Sequence, residues 1–153
     1  MDAQAVDKAA SKRSSQMFTM HIKKFCELAG RNSRLVRDKV ALDMFKSLIQ
    51  KTPVLTGRAK GNWILTSGSI DPSYDKDKFD KDGGRTFAEG QRSALRASPS
   101  ESIFLTNSIP YIVRLEYGWS PKAPYGMVRP TLKTFRQAVK RVADEMRKER
   151  SGL

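Results

Sequence analysis

The segment Thr52-Pro-Val-Leu-Thr-Gly-Arg58 constrains this chain most. Proline fixes its own φ and pushes the preceding residue out of the helical region, so a helix arriving at Thr52 stops there. Gly57 then permits a turn that other residues resist. Thr52, Pro53, Thr56, Gly57 and Arg58 are therefore read as a corner. Before it, Asn32 or Ser33 can cap a segment with Val36, Val40, Met44 and Ile49 on one flank and Leu42, Phe45 and Leu48 beside them, a spacing that predicts a helix over 34–51. After it, residues 61–70 alternate Trp63, Leu65 and Ser67 with Ile64 and Thr66, which predicts a strand ended by Asp71-Pro72.

The same signals organise the rest. Phe18, Ile22, Phe25 and Ala29 predict a helix over 17–29, and the aperiodic residues 1–14 read as a flexible N-terminal arm. Residues 71–84, with five Asp, three Lys and two Gly, read as a solvated, charged loop. A short helix is expected over 86–97, a second strand over 102–107, and a helix-like YIVRLEY that opens after Pro110 and closes at Gly118. Three prolines and a glycine between Ser120 and Pro130 predict a non-helical arm. Leu132, Phe135, Val139, Val142 and Met146 form a seam that predicts a helix over 131–150. At 153 residues the expectation is one α+β domain over 15–150: N-terminal helices, a small antiparallel sheet, and a long C-terminal helix packed on the sheet.

Composition narrows the chemistry. A hydrophobic fraction of 39% suffices for one core, while the net charge of +13 makes polyanions natural electrostatic partners. Residues 8–60 hold 13 Lys or Arg against three Asp or Glu. With one cysteine, Cys26, and one histidine, His21, the chain lacks an intrachain disulfide and the usual thiolate or imidazole metal sites. No run approaches the roughly 20 apolar residues of a membrane span, and Asp2, Asp7, Lys8, Lys12 and Arg13 near the start do not resemble a secretory signal. A soluble chain with no membrane partner is expected.

Catalytic and ligand motifs fail on spacing. GRAKGNW lacks the Gly-Lys-Ser/Thr ending of a phosphate loop. Counted from Asp75 as a calcium loop, Phe79 is fifth, Asp80 stands where Gly is needed, and Thr86 replaces the last Glu. Glu27, Glu101 and Glu116 have no sequence partner marking an acid/base pair. The expectation is a non-enzyme without cofactor.

Two segments are more distinctive: Ile109-Pro-Tyr-Ile-Val-Arg-Leu-Glu-Tyr-Gly-Trp-Ser120 and Lys122-Ala-Pro-Tyr-Gly-Met-Val-Arg-Pro130. Aromatic, Met and Arg enrichment is the composition of a protein-binding surface. Tyr111, Glu116, Tyr117, Gly118, Trp119, Pro124, Tyr125, Met127 and Arg129 are the expected subunit or partner interface.

TPVLTGR, SIFLTNSIPYIVRLEYGWS and APYGMVRP, in this order before a C-terminal helix, resemble the tail-completion or head-to-tail joining proteins of long-tailed bacteriophages, including minor tail proteins of the lambda type. The resemblance spans about residues 40–145. It implies a structural virion protein, made in the host cytoplasm, that assembles as a ring in the neck. A hexamer is expected, with portal, connector or adaptor proteins on one side and tail terminator or tube proteins on the other. In such a ring Lys8, Lys12, Arg13, Lys23 and Lys24 are the residues expected to face channel DNA without reading its bases. The alternative is a free-standing, sequence-nonspecific nucleic-acid-binding protein. It would bind as a monomer with steep salt dependence.

Overall fold

The computed structural model describes residues 33–152. The expected helix over 17–29, the arm over 1–14, His21, Cys26 and the basic residues Lys8, Lys12, Arg13, Lys23 and Lys24 lie outside the described residues. The chain divides after Arg37, and the sheet and the long C-terminal helix belong to the unit Asp38–Leu153. The described elements are α1 (Ser33–Lys51), α2 (Arg58–Gly61), β1 (Ile64–Ser67), α3 (Gly84–Arg96), β2 (Ile103–Thr106), α4 (Ile112–Glu116) and α5 (Val128–Ser151). The class is α+β, with one two-stranded antiparallel sheet and a long C-terminal helix.

Proline ends α1 as the sequence requires, and a hydrogen bond fixes the end. The Thr52 hydroxyl donates to the Leu48 carbonyl at 2.7 Å and accepts from the Trp63 indole at 2.7 Å. That second bond ties the helix end to the entrance of β1, and it lets the indole N–H be buried without a desolvation cost. β1 is shorter than the expected 61–70, because Gly61 still belongs to α2 and the Asn62 side chain pins the turn. The Asn62 amide donates to the carbonyls of Arg58 and Asp75, and its own oxygen accepts from the Asp75 amide.

β1 pairs with β2 so that Leu65 faces Leu105 and Ser67 faces Ile103. Phe45, Leu48 and Ile49 of α1, Trp63, Leu65, Ala94 of α3, Ala123 and Met127 form the core. Gly90 explains how α3 comes so close: a Cβ there would sit 2.2 Å from the Phe45 ring, which also stacks with Phe87 at 6.5 Å between centroids.

The C-terminal helix reaches the sheet region at its start, through Met127, and then runs antiparallel along α1. Ser47 pairs with Thr131, Asp43 with Arg141, and Lys39 with Glu145. Two details of the expected helix change. It begins at Val128, with Pro130 in the first turn, where proline needs no amide partner. Thr131 occupies the buried position, while Leu132, expected in the seam, is 42% exposed. The Thr131 hydroxyl can be buried because it donates to the Met127 carbonyl.

Candidate assembly interface

α4 ends in a paired hydrogen-bond motif, with the Gly118 amide donating to Leu115 and the Trp119 amide donating to Arg114. The motif needs a left-handed residue, which Gly118 supplies at φ +85°. The chain then runs through Pro121 and Pro124 and returns to α4 at Gly126. Here a Cβ would lie 2.2 Å from the Glu116 carbonyl oxygen, and φ is +78°. Glycine is thus required on both counts.

The return places the start of α5 over Glu116. One carboxylate oxygen accepts from the Met127 and Val128 amides, both at 2.8 Å. The other accepts from the Arg129 amide at 3.1 Å and its guanidinium Nε at 3.2 Å. Burial pushes the Glu116 carboxyl up, but these three amides and the guanidinium outweigh it and hold the group below its ordinary value. A negative charge at the first turn of a 24-residue helix also meets the positive end of its dipole.

Glu116 therefore braces the arm from within. Met127, expected at the interface, is fully buried in the core. Its apolar side chain anchors the arm from below, so it is removed from the surface set. Arg129 stays exposed but is committed to Glu116 and stacks over Tyr117 at 5.1 Å.

What the arm presents outward is aromatic. Tyr117, Trp119 and Tyr125 are 71%, 72% and 79% exposed. Tyr111, Val113 and Pro124 are also exposed. Arg114 lies over the Trp119 ring at 5.4 Å. Three rings this exposed, on a backbone fixed at both ends, form a surface of the kind that marks protein association.

The corner residues sit elsewhere. Gly57 has φ +87°, and a Cβ there would meet backbone atoms of Asp80 and Lys81 at 2.7–2.9 Å. Its carbonyl accepts from Gly61 and Asp80. Thr56 is exposed and its hydroxyl accepts from the Arg58 amide, Pro53 is half-buried, and the Arg58 guanidinium lies over Phe79 at 5.2 Å. The corner's job is to seat the 71–84 loop.

That loop is charged but not wholly solvated, which corrects the sequence reading. Asp80 is buried and turned inward: one oxygen accepts from the Gly83 amide at 3.0 Å, the other from the Thr86 amide and hydroxyl at 2.8 and 2.7 Å. Burial raises the Asp80 carboxyl, yet the Thr86 hydroxyl and the two amides more than compensate and lower it. Sequence reasoning missed Asp80 because a cap is sought directly before the helix, whereas Asp80 precedes α3 by several residues.

Among the described residues no group of three His, Cys, Asp or Glu side chains is placed to hold a metal ion, and no helix is long and apolar enough to cross a membrane. No family model matches the chain, and no curated protein or solved structure matches it.

Proposed function

We propose that this chain is a structural protein of the neck of a long-tailed phage virion, assembling as a ring that joins the DNA-filled head, on its portal or connector side, to the tail. The observation that supports this best is the use to which LEYGWS and APYGMVR are put. Glu116, Gly118, Gly126 and Met127 fix the arm from inside so that Tyr117, Trp119 and Tyr125 stand in solvent. A rigid aromatic surface serves docking rather than chemistry, and the same residues carry the resemblance to tail-completion proteins. In this reading the chain is not an enzyme. Its partners are further copies of itself, expected as six, with portal-side and tube-side proteins, and its basic N-terminal residues pass channel DNA.

Electron cryomicroscopy of assembled particles tests the proposal. A ring of this chain between portal and tail tube is expected; its location elsewhere overturns the neck assignment. One observation favours the second reading, a nonspecific nucleic-acid-binding protein: Lys133, Arg136, Lys140 and Lys148 line exposed positions of α5. Tight duplex binding by the monomer, falling steeply with salt, would select it.

A further inference from the structure

We propose that the aromatic, cationic arm over 111–129 of one copy docks on the acidic 71–83 loop of a second copy, in a head-to-tail contact. The proposal rests on the ring reading and names the two surfaces that would build it.

The arm carries Arg114, Lys122 and Arg129 against one carboxylate, Glu116. Glu116 is turned inward and Arg129 is committed to it, which leaves Arg114 and Lys122 facing solvent beside the exposed rings. Neither cation pairs with a carboxylate among the described residues. The loop is the reverse. Of its five Asp, Asp80 faces inward, while Asp75, Asp77 and Asp82 are exposed. Lys78 is committed to Glu89, and Lys76 and Lys81 are exposed among the aspartates, so the five Asp leave the loop an excess of two negative charges over its three Lys. Tyr74 and Phe79, 49% and 48% exposed, supply apolar surface between the carboxylates.

These surfaces do not satisfy each other within one chain. The loop is held by Gly57, Asn62 and Thr86, the arm by Glu116 and Met127, and no hydrogen bond, ion pair or ring contact joins them among the described residues. Copies of a chain with net charge +13 repel one another, so an acidic loop is where the cations of another copy are accommodated. Complementary charge fixes the register of such contacts and suppresses wrong ones. Two different patches meeting head to tail are what a closed ring requires. Duplex DNA fits less well, because the loop has the wrong sign for it and the exposed rings would have no base to stack on.

Sedimentation velocity on the full chain tests this with Arg114→Glu/Lys122→Glu, Asp75→Lys/Asp77→Lys, and all four changes together. Each pair is expected to weaken self-association about tenfold, and the fourfold variant to recover to within about threefold of wild type. Unchanged circular dichroism melts separate lost contact from lost fold, since all four side chains are exposed. Three outcomes overturn the proposal: a wild-type chain that stays monomeric, charge reversal without recovery in the fourfold variant, or an arm reversal that costs affinity for a duplex DNA probe and leaves self-association unchanged. A ring seen in particles together with no recovery removes this contact and leaves the neck reading standing. Recovery with the chain located elsewhere does the opposite.

Discussion

Asp80 and Glu116 do the same physical work in two regions with different outcomes. Each is a carboxylate from outside a helix that accepts the orphan amides of its first turn, and each depends on a glycine, Gly57 or Gly126, whose missing Cβ lets the backbones meet. Around Asp80 every donor is neutral and buried, and the Thr86 hydroxyl closes the set. Around Glu116 a guanidinium joins the amides, and Val128 and Arg129 remain exposed. The first cap closes the fold under a loop. The second holds an arm rigid while its rings face outward, so one device gives stability in one place and display in the other.

The contrast is broken most severely at Asp80. Asp80→Ala leaves the Thr86 and Gly83 amides buried without acceptors and the Thr86 hydroxyl with only the long bond to the Gly61 carbonyl, so we expect a loss of about 3 kcal/mol in urea unfolding, shared by every probe. Glu116→Ala should cost about 1 kcal/mol, because two of its three amides, those of Val128 and Arg129, are exposed and turn to water, with amide exchange quickening chiefly over 118–129. Equal losses with uniform exchange would erase the distinction.

Gly57→Val comes next. The left-handed φ and the approach of Asp80 and Lys81 both penalise a side chain, and about 2 kcal/mol of stability should go. An unchanged thermal midpoint would show that the corner does not seat the loop.

Much of the frame was legible in the sequence because its causes are local. Pro53 stops α1, β1 and β2 fall within the two expected strand segments and pair, and Gly57 and Gly118 take the left-handed conformations their positions demanded. The caps were not legible. Glu116 meets Met127 eleven positions away and Thr52 meets Trp63 at the same separation, so no short motif records either contact. Met127 stands among Pro, Gly and Tyr, and composition alone cannot separate an anchor from the surface it supports. The acidic content of 71–84 gave the loop, yet which aspartate turns inward depends on the packing of Gly57 against it.

Acid weakens both caps by a smaller amount. The folded-state pKa values of Asp80 and Glu116 are depressed, so their contribution is fully present above the unfolded carboxylate range and is lost as pH falls through the folded values. Stability should therefore decline below about pH 4, and Asp80→Asn should flatten that decline more than Glu116→Gln does, since Asp80 is the more buried. The same slope in both variants as in wild type would mean that other carboxylates govern acid unfolding.

Trp119→Ala should disturb the fold least. The ring is 72% exposed and its one ring contact among the described residues is Arg114 stacked on it, so truncation removes about 0.5 kcal/mol of cation–π attraction and little buried area. The backbone that carries it is fixed independently, by the Trp119 amide to Arg114 bond and by Glu116 on α5, so the arm keeps its shape without the indole. On the proposed reading, an exposed indole on a backbone so fixed has its use outside the subunit. The neck proposal then expects particles carrying Trp119→Ala to contain filled heads and separate tails, while the purified variant melts within a degree or two of wild type. If the melt falls by ten degrees or more, the arm is part of the core and the division between the two caps fails; if joining is normal, the exposed rings are not the docking surface.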